Sequence, residues 1–171
     1  SPRSYLLRNH NGRFTDVTSE ICPELMRPGM ITDAIWTDFN GDNKIDLIVV
    51  GEFTPIMFFE NTGNALRRVK TDIDHHSGWW NSITSGDYDL DGDIDYVIGN
   101  LGLNNGYEVI NEFPLKVFAK DFDENGSMDA ILACYMRVSM SSYDKGLFPV
   151  HFWDELNSQS PRFRNKYSRY R

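Results

Sequence analysis

Cysteine is scarce in this chain: Cys22 and Cys134 are the two among 171 residues. That excludes a disulfide scaffold and leaves no zinc spacing; whether the pair is joined or free stays open at this point. No apolar run approaches the ~18 residues of a membrane span. No secretory leader stands at the start, which opens on "SPRSYLLRNHNGRF" as a mature or excised protein would. Positive charge is also in deficit, and a formal net charge of −8 argues against a nucleic-acid partner. The exception is the stretch 157–171, where Arg162, Arg164, Lys166, Arg169 and Arg171 occur without an acidic residue. A solvated or docking helix is the ordinary reading of such a tail, and a phosphate-binding tail is the alternative.

A catalytic constellation is missing too. His10, His75, His76 and His151 have no Ser or Cys partner in any motif. His75 and His76 follow Asp74, which suggests a transition-metal site, but an exposed loop is the ordinary reading. What remains is ordinary material for one globular domain or a piece of a larger one: 40% hydrophobic, 25% charged and 13% aromatic residues.

Against that background one stretch stands out. "DYDLDGDID", residues 87–95, sets five aspartates into nine positions. It has two relatives in the same chain, "DFNGDNKID" (38–46) and "DFDENGSMD" (121–129). In register, positions 1, 3, 5 and 9 are Asp38, Asn40, Asp42, Asp46; Asp87, Asp89, Asp91, Asp95; and Asp121, Asp123, Asn125, Asp129. Every one carries a side-chain oxygen. Position 2 is aromatic in all three (Phe39, Tyr88, Phe122) and position 8 apolar (Ile45, Ile94, Met128). Position 6 is Asn43, Gly92 and Gly126, the residue types that tolerate a left-handed backbone. Agreement at that many positions, three times over, is internal repetition.

Each acidic turn runs into a short apolar segment, "LIVVGEF", "YVIGNL" and "AILACY", and is preceded by another, "MITDAIWT", "WWNSITSG" and "LKVFAK". Their length and β-branched content predict buried strands, so the unit is strand, acidic turn, strand. The stretch 6–18, "LLRNHNGRFTDVT", is similar to 58–71, "FFENTGNALRRVKT", each a strand, an Asn/Gly turn and a strand. Residues 1–18 therefore read as the back half of a preceding unit, and 19–151 as the repeats. The loops start 49 and 34 residues apart, which fits four-stranded propeller blades, the second shortened. The expectation is an all-β fold: a fragment of a β-propeller, about three blades of antiparallel four-stranded sheets. A short helical segment is expected at 152–171, where Ser160 and Pro161 make a good helix start.

Hard oxygen donors at alternate positions of a tight turn suit Ca²⁺, which takes six to eight such ligands. The backbone carbonyls at position 7, Lys44, Asp93 and Ser127, complete the predicted ring. An EF-hand needs a Glu at position 12 and flanking helices; here position 12 is Val49, Ile98 and Leu132. The ten ligand carboxylates would hold about three ions, taking the formal charge from −8 to about −2. Mg²⁺ fits less well, because it prefers a smaller octahedral shell with retained waters.

The loops with their following strands resemble FG-GAP/VCBS repeats, known from the propeller head of integrin α subunits and from bacterial surface proteins. The stretches "TDFNGDNKIDLIVVGEFTPIMFFEN", "SGWWNSITSGDYDLDGDIDYVIGNLGLN" and "HFWDELNSQSPRFRNKYSRY" are similar to VCBS-repeat proteins related to cartilage acidic protein and its ASPIC/UnbV-bearing bacterial relatives. That resemblance implies a seven-bladed or similar calcium-bound propeller, exported to the cell surface, the extracellular space or the periplasm. It implies no enzymatic activity. Cys134 departs from the pattern, standing where Gly51 closes the first repeat's strand.

The functional expectation is extracellular binding or adhesion towards an unknown protein or glycan ligand, with structural calcium. The alternative is the scaffold of an exported enzyme acting on polysaccharide or another polymer, its catalytic residues outside this chain. Trp79, Trp80, Asn104, Asn105 and Tyr107 are the ligand-facing candidates, from a Trp pair and the long polar loop "GNLGLNNGYEVINE". Core packing is the ordinary reading of the tryptophans, since consecutive strand residues face opposite ways. Open sheet edges and apolar blade faces make self-association a further expectation.

Overall fold

The computed structural model describes residues 2–102, 106, 107, 109–139, 141, 143–150 and 162, and the chain divides into two units, 1–102 and 103–171. The fold is all-β and propeller-like, built from three antiparallel sheets.

The first unit opens with a hairpin, β1 (Leu7–His10) and β2 (Arg13–Asp16), joined through Asn11 and Gly12. Both turn residues have positive φ, 51° and 82°, which gives the two-residue turn that matches strand twist. A single helical turn, α1 (Thr18–Ile21), and a 3-10 turn at Pro23–Met26 follow. Neither was expected from the periodicity. Four residues are too few for a hydrophobic period to show.

Then come β3 (Met30–Thr37), β4 (Asp46–Pro55), β5 (Met57–Asn61) and β6 (Leu66–Val69), each antiparallel to its neighbour in a four-stranded meander. The predicted "MITDAIWT" strand is β3 residue for residue. β4 is central and buried on both faces, which is why Leu47, Ile48, Val49 and Val50 run on without alternation. Its odd positions, Leu47 and Val49, join Met57, Phe59 and Leu66 against Cys22 and Leu25. Its even positions, Ile48 and Val50, pack with Ile83 and, at the margin, Trp80, Tyr96 and Ile98. These last come from β7 (Ser77–Gly86) and β8 (Asp95–Asn100), the hairpin around the second acidic turn. The meander is thus sandwiched between the 17–26 segment and the next repeat. A β-bulge at Glu52/Thr54 lets the end of β4 pair with β7, and Phe53 sits there with φ +54°. Gly51 is required beside it, because a Cβ would lie 2.2 Å from the Met30 carbonyl oxygen.

The second unit holds β9 (Lys116–Lys120), β10 (Asp129–Arg137) and β11 (Lys145–Pro149), ordered with β10 in the centre. Among the described residues the four-stranded meander is complete in the first repeat alone. The second contributes two strands and the third contributes three. Both cysteines are free and buried, Cys22 in the first unit and Cys134 in the second. The helical expectation for 152–171 lies outside the described residues, apart from Arg162, which is helical.

Candidate metal centres

All three acidic turns sit between paired strands, β3 and β4, β7 and β8, β9 and β10. They share one hydrogen-bond pattern. The position 1 carboxylate accepts from the backbone N–H groups of positions 5 and 6: Asp38 from Asp42 and Asn43, Asp87 from Asp91 and Gly92, Asp121 from Asn125 and Gly126. Position 3 accepts from the N–H of position 5, and position 5 from that of position 7 (Lys44, Asp93, Ser127). Position 9 accepts from the N–H of position 2, at 3.3, 3.0 and 2.9 Å. A carboxylate offers about four lone-pair sites, so these bonds fix the oxygens while leaving acceptor capacity for a cation.

The backbone follows the same plan. Position 6 has positive φ in each turn, as the residue types predicted: Asn43 64°, Gly92 98°, Gly126 87°. Position 4 does as well, against the residue types found there in two of the turns. Gly41 (73°) is conventional, but Leu90 (64°) and Glu124 (59°) are not. With two left-handed residues alternating, side chains 1 and 3 accept from the same position 5 N–H in every turn.

Two turns bring their carboxylates together. One oxygen each from Asp87, Asp89 and Asp91 lies within 4.8 Å of the others, and so do oxygens of Asp121, Asp123 and Asp129. Such clusters fit a hard cation by donor type and convergence. Asp123 is buried, while Asp89, Asp91 and Asn125 are exposed. Asp95 holds the Tyr88 N–H outside the closest trio.

The first turn differs. The Lys44 ammonium lies 2.6 Å from Asp42 Oδ2, a cation supplied by the chain itself. The hydrogen bond from that ammonium, reinforced by the Lys44 backbone N–H, holds the Asp42 carboxyl below its ordinary value, and Asp42 raises Lys44 in turn. Lys44 was expected to contribute its carbonyl, and the side chain's role was missed. The signal was present as a basic residue among acids at position 7. Asp46, fully buried, accepts from the Asn61 N–H at 2.7 Å as well as from Phe39, which ties the turn to β5.

These turns define the repeat. Residues 38–98 match the family model of the FG-GAP-like repeat. The match spans the first two acidic turns and the strands between them, and it supports an FG-GAP repeat protein. No curated protein matches the chain.

The other candidates divide. Trp80 is half-buried against the Ile48–Val50 cluster, with its indole N–H donating to the Thr54 carbonyl at 3.0 Å, so its surface is used in packing. Trp79 is half-buried with its ring 5.0 Å from Phe53. Tyr107 is half-buried beside a cavity of about 360 Å³. Asn104 and Asn105 lie outside the described residues. The His75 and His76 rings are 4.0 Å apart and both exposed, and among the described residues no cluster of metal-binding groups includes them.

Proposed function

We propose that the chain is a calcium-binding β-propeller module of an exported protein, serving extracellular binding or adhesion without catalysis of its own. One observation carries this reading: a single hydrogen-bond pattern, repeated three times, aims alternate oxygens into the interior of each turn, and in two turns carboxylates converge within 4.8 Å. Calcium is the cation of choice because the donors are all hard oxygens on a pliable turn, without an octahedral preference. When bound, it would neutralise the repulsion among carboxylates and so act as a folding ligand. Asp87, Asp89, Asp91 and Asp95 would hold one ion, Asp121, Asp123, Asn125 and Asp129 a second, and Asp38, Asn40 and Asp42 a weaker third. Extracellular sites of this kind bind at ~10⁻⁴–10⁻³ M, suited to the millimolar calcium outside cells.

Thermal unfolding in EDTA, in CaCl₂ and in MgCl₂ tests the reading. At 100 times Kd each site adds roughly 2.7 kcal/mol to the folded state. A midpoint several degrees higher in calcium alone is the expected result, and Asp91→Asn should remove part of it. Equal midpoints in all three buffers would mean that the turns are closed by their own hydrogen bonds and need no ion.

A further inference from the structure

The sheet of the second unit has one face rich in cations. Paired residues of antiparallel strands project to the same side, so Lys116 and Ala133, Tyr135 and Leu147, and Arg137 and Lys145 share a face with Phe118 and Lys120. Contacts agree with that register. Lys116 Nζ lies 5.7 Å from the Tyr135 ring centre and Lys145 Nζ lies 4.9 Å from that of Phe113. The Phe113 and Tyr135 rings are 5.2 Å apart, and the Arg137 guanidinium sits 5.5 Å over Tyr143. Lys116, Lys120 and Arg137 are exposed, in a chain of net charge −8. Among the described residues these strands add one carboxylate to the face, Asp129, which already serves the third acidic turn. Glu112 and Asp144 stand beside it as chain neighbours of Phe113 and Lys145.

A second observation adds to this. The pairing of β9 with β10 ends at Ala133, and the next residues of β10 are hydrogen-bonded to β11. There an open cavity of about 360 Å³ is lined by Tyr107, Cys134, Tyr135, Met136, Arg137 and Val150. Its size is that of a small-ligand site, and Tyr135 and Arg137 belong to both features.

We propose that this face binds an acidic glycan. Its carboxylate or sulfate groups would meet Lys116, Arg137 and Lys145, and one sugar ring would enter the cavity beside Tyr107. The proposal rests on the reading of the chain as a binding module and names the ligand class. Charge complementarity selects the partner: a basic face on an acidic protein is a local feature that attracts anions. Nucleic acid suits it less. Single strands are held by stacking successive bases on open ring faces, whereas here cations lie over the Tyr135, Phe113 and Tyr143 rings and leave Phe118 as an isolated exposed ring. A glycan with spaced charges needs the cations and not the ring faces.

The test uses the whole 171-residue chain in fixed CaCl₂, titrated calorimetrically with heparin fragments, polygalacturonate oligomers, dextran oligomers and poly(dT). The two charged glycans separate sulfate from carboxylate as the preferred group. Binding of at least one, weakening as salt rises, is expected, with none to dextran. Lys116→Gln with Lys145→Gln should lower affinity at least tenfold, with the strand signal in circular dichroism retained. Arg137→Gln, at an exposed position, gives an independent second variant, and Lys116→Arg with Lys145→Arg should retain binding. Absence of binding to both charged glycans, or affinity unchanged in the Gln variants, would overturn the proposal. So would equal binding of poly(dT) lost in the same variants, which would assign the face to nucleic acid. Calcium-dependent melting without glycan binding sinks this proposal alone. Glycan binding without any calcium effect sinks the metal assignment alone.

Discussion

The first and second acidic turns share a hydrogen-bond pattern and differ in how their charge is balanced. In 38–46 the Lys44 ammonium sits on Asp42, and the buried Asp46 is held by two backbone N–H groups, one of them from β5. In 87–95 four aspartates occupy the oxygen positions without a basic residue, and Asp95 is half-buried with the Tyr88 N–H. The first turn is therefore largely satisfied by the protein itself. The second leaves three converging carboxylates without a cation from the chain, and on the proposed reading it would hold an ion more tightly. Identical local architecture thus leaves a graded excess of negative charge, and the grading is written in two residues, Lys44 and the partner of Asp46.

The largest effect expected from this difference is on folding. Asp46→Ala leaves the Phe39 and Asn61 amides without acceptors. At about 1–3 kcal/mol for each buried group so orphaned, the loss is on the order of 3 kcal/mol. For a chain of this size that lowers the melting midpoint by roughly 6–12 °C, with or without calcium. Asp95→Ala, which strands one N–H at a less buried site, should lower it by about half as much or less in EDTA, and by more in calcium. Equal losses at both sites in EDTA would erase the distinction between the turns.

Next in size is Lys44→Gln. With the ammonium gone, Asp42 regains an open carboxylate, and calcium affinity at the first turn should rise several-fold. Calorimetry should then resolve an additional or tighter site, while the metal-free midpoint falls slightly. An unchanged calcium isotherm would show that the Lys44 pair does not compete with an ion.

Leu90→Gly should act in the opposite direction on stability. Leu90 is 86% exposed and has φ +64°, a conformation that costs an L-residue about 1–2 kcal/mol. Glycine removes that cost and gives back about 0.4–1 kcal/mol through the freer unfolded chain. A net gain of up to ~1.6 kcal/mol, at most some 3–6 °C, is expected in the metal-free protein. Gly41→Ala, at the same position of the first turn and with open space around it, should lose a similar amount.

Much of this could be read from the chain. The three turns were legible because each carries oxygen at positions 1, 3, 5 and 9, and the strands because each turn runs into a short apolar stretch, Leu47–Val50 in β4. The hairpin of β1 and β2 was legible in Asn11 and Gly12, whose residue types name their turn. What escaped notice is tertiary. The left-handed φ of Leu90 and Glu124 is imposed by the closure of the turn around its carboxylates, against their own preference. The tether from Asn61 to Asp46 spans 15 residues, and nothing local marks it. At Lys44 the repeat register points to the backbone carbonyl alone, because Asp93 and Ser127 at the matching positions carry no cation.

The smallest effect concerns a carboxylate outside the turns, Asp16. Asp16 accepts from the Thr18 hydroxyl at 2.5 Å and its N–H at 3.0 Å, and pairs with Arg3 at 2.9 Å. The Thr18 hydroxyl bond, ahead of the backbone bond and Arg3, holds its carboxyl below the ordinary range. A carboxylate whose folded value is depressed stabilises the folded state above its unfolded value of about 3.9 and loses that contribution as pH falls through the lower, folded value. The same Thr18 oxygen accepts the Leu6 N–H at 2.8 Å, so protonating Asp16 should be felt at the Leu6 amide. Its NMR shift should titrate below pH 4 in the wild type and not in Asp16→Asn. The two proteins differ at this one carboxylate, so the difference between the two profiles isolates Asp16. A Leu6 shift that moves equally in both would show that Asp16 is not its source.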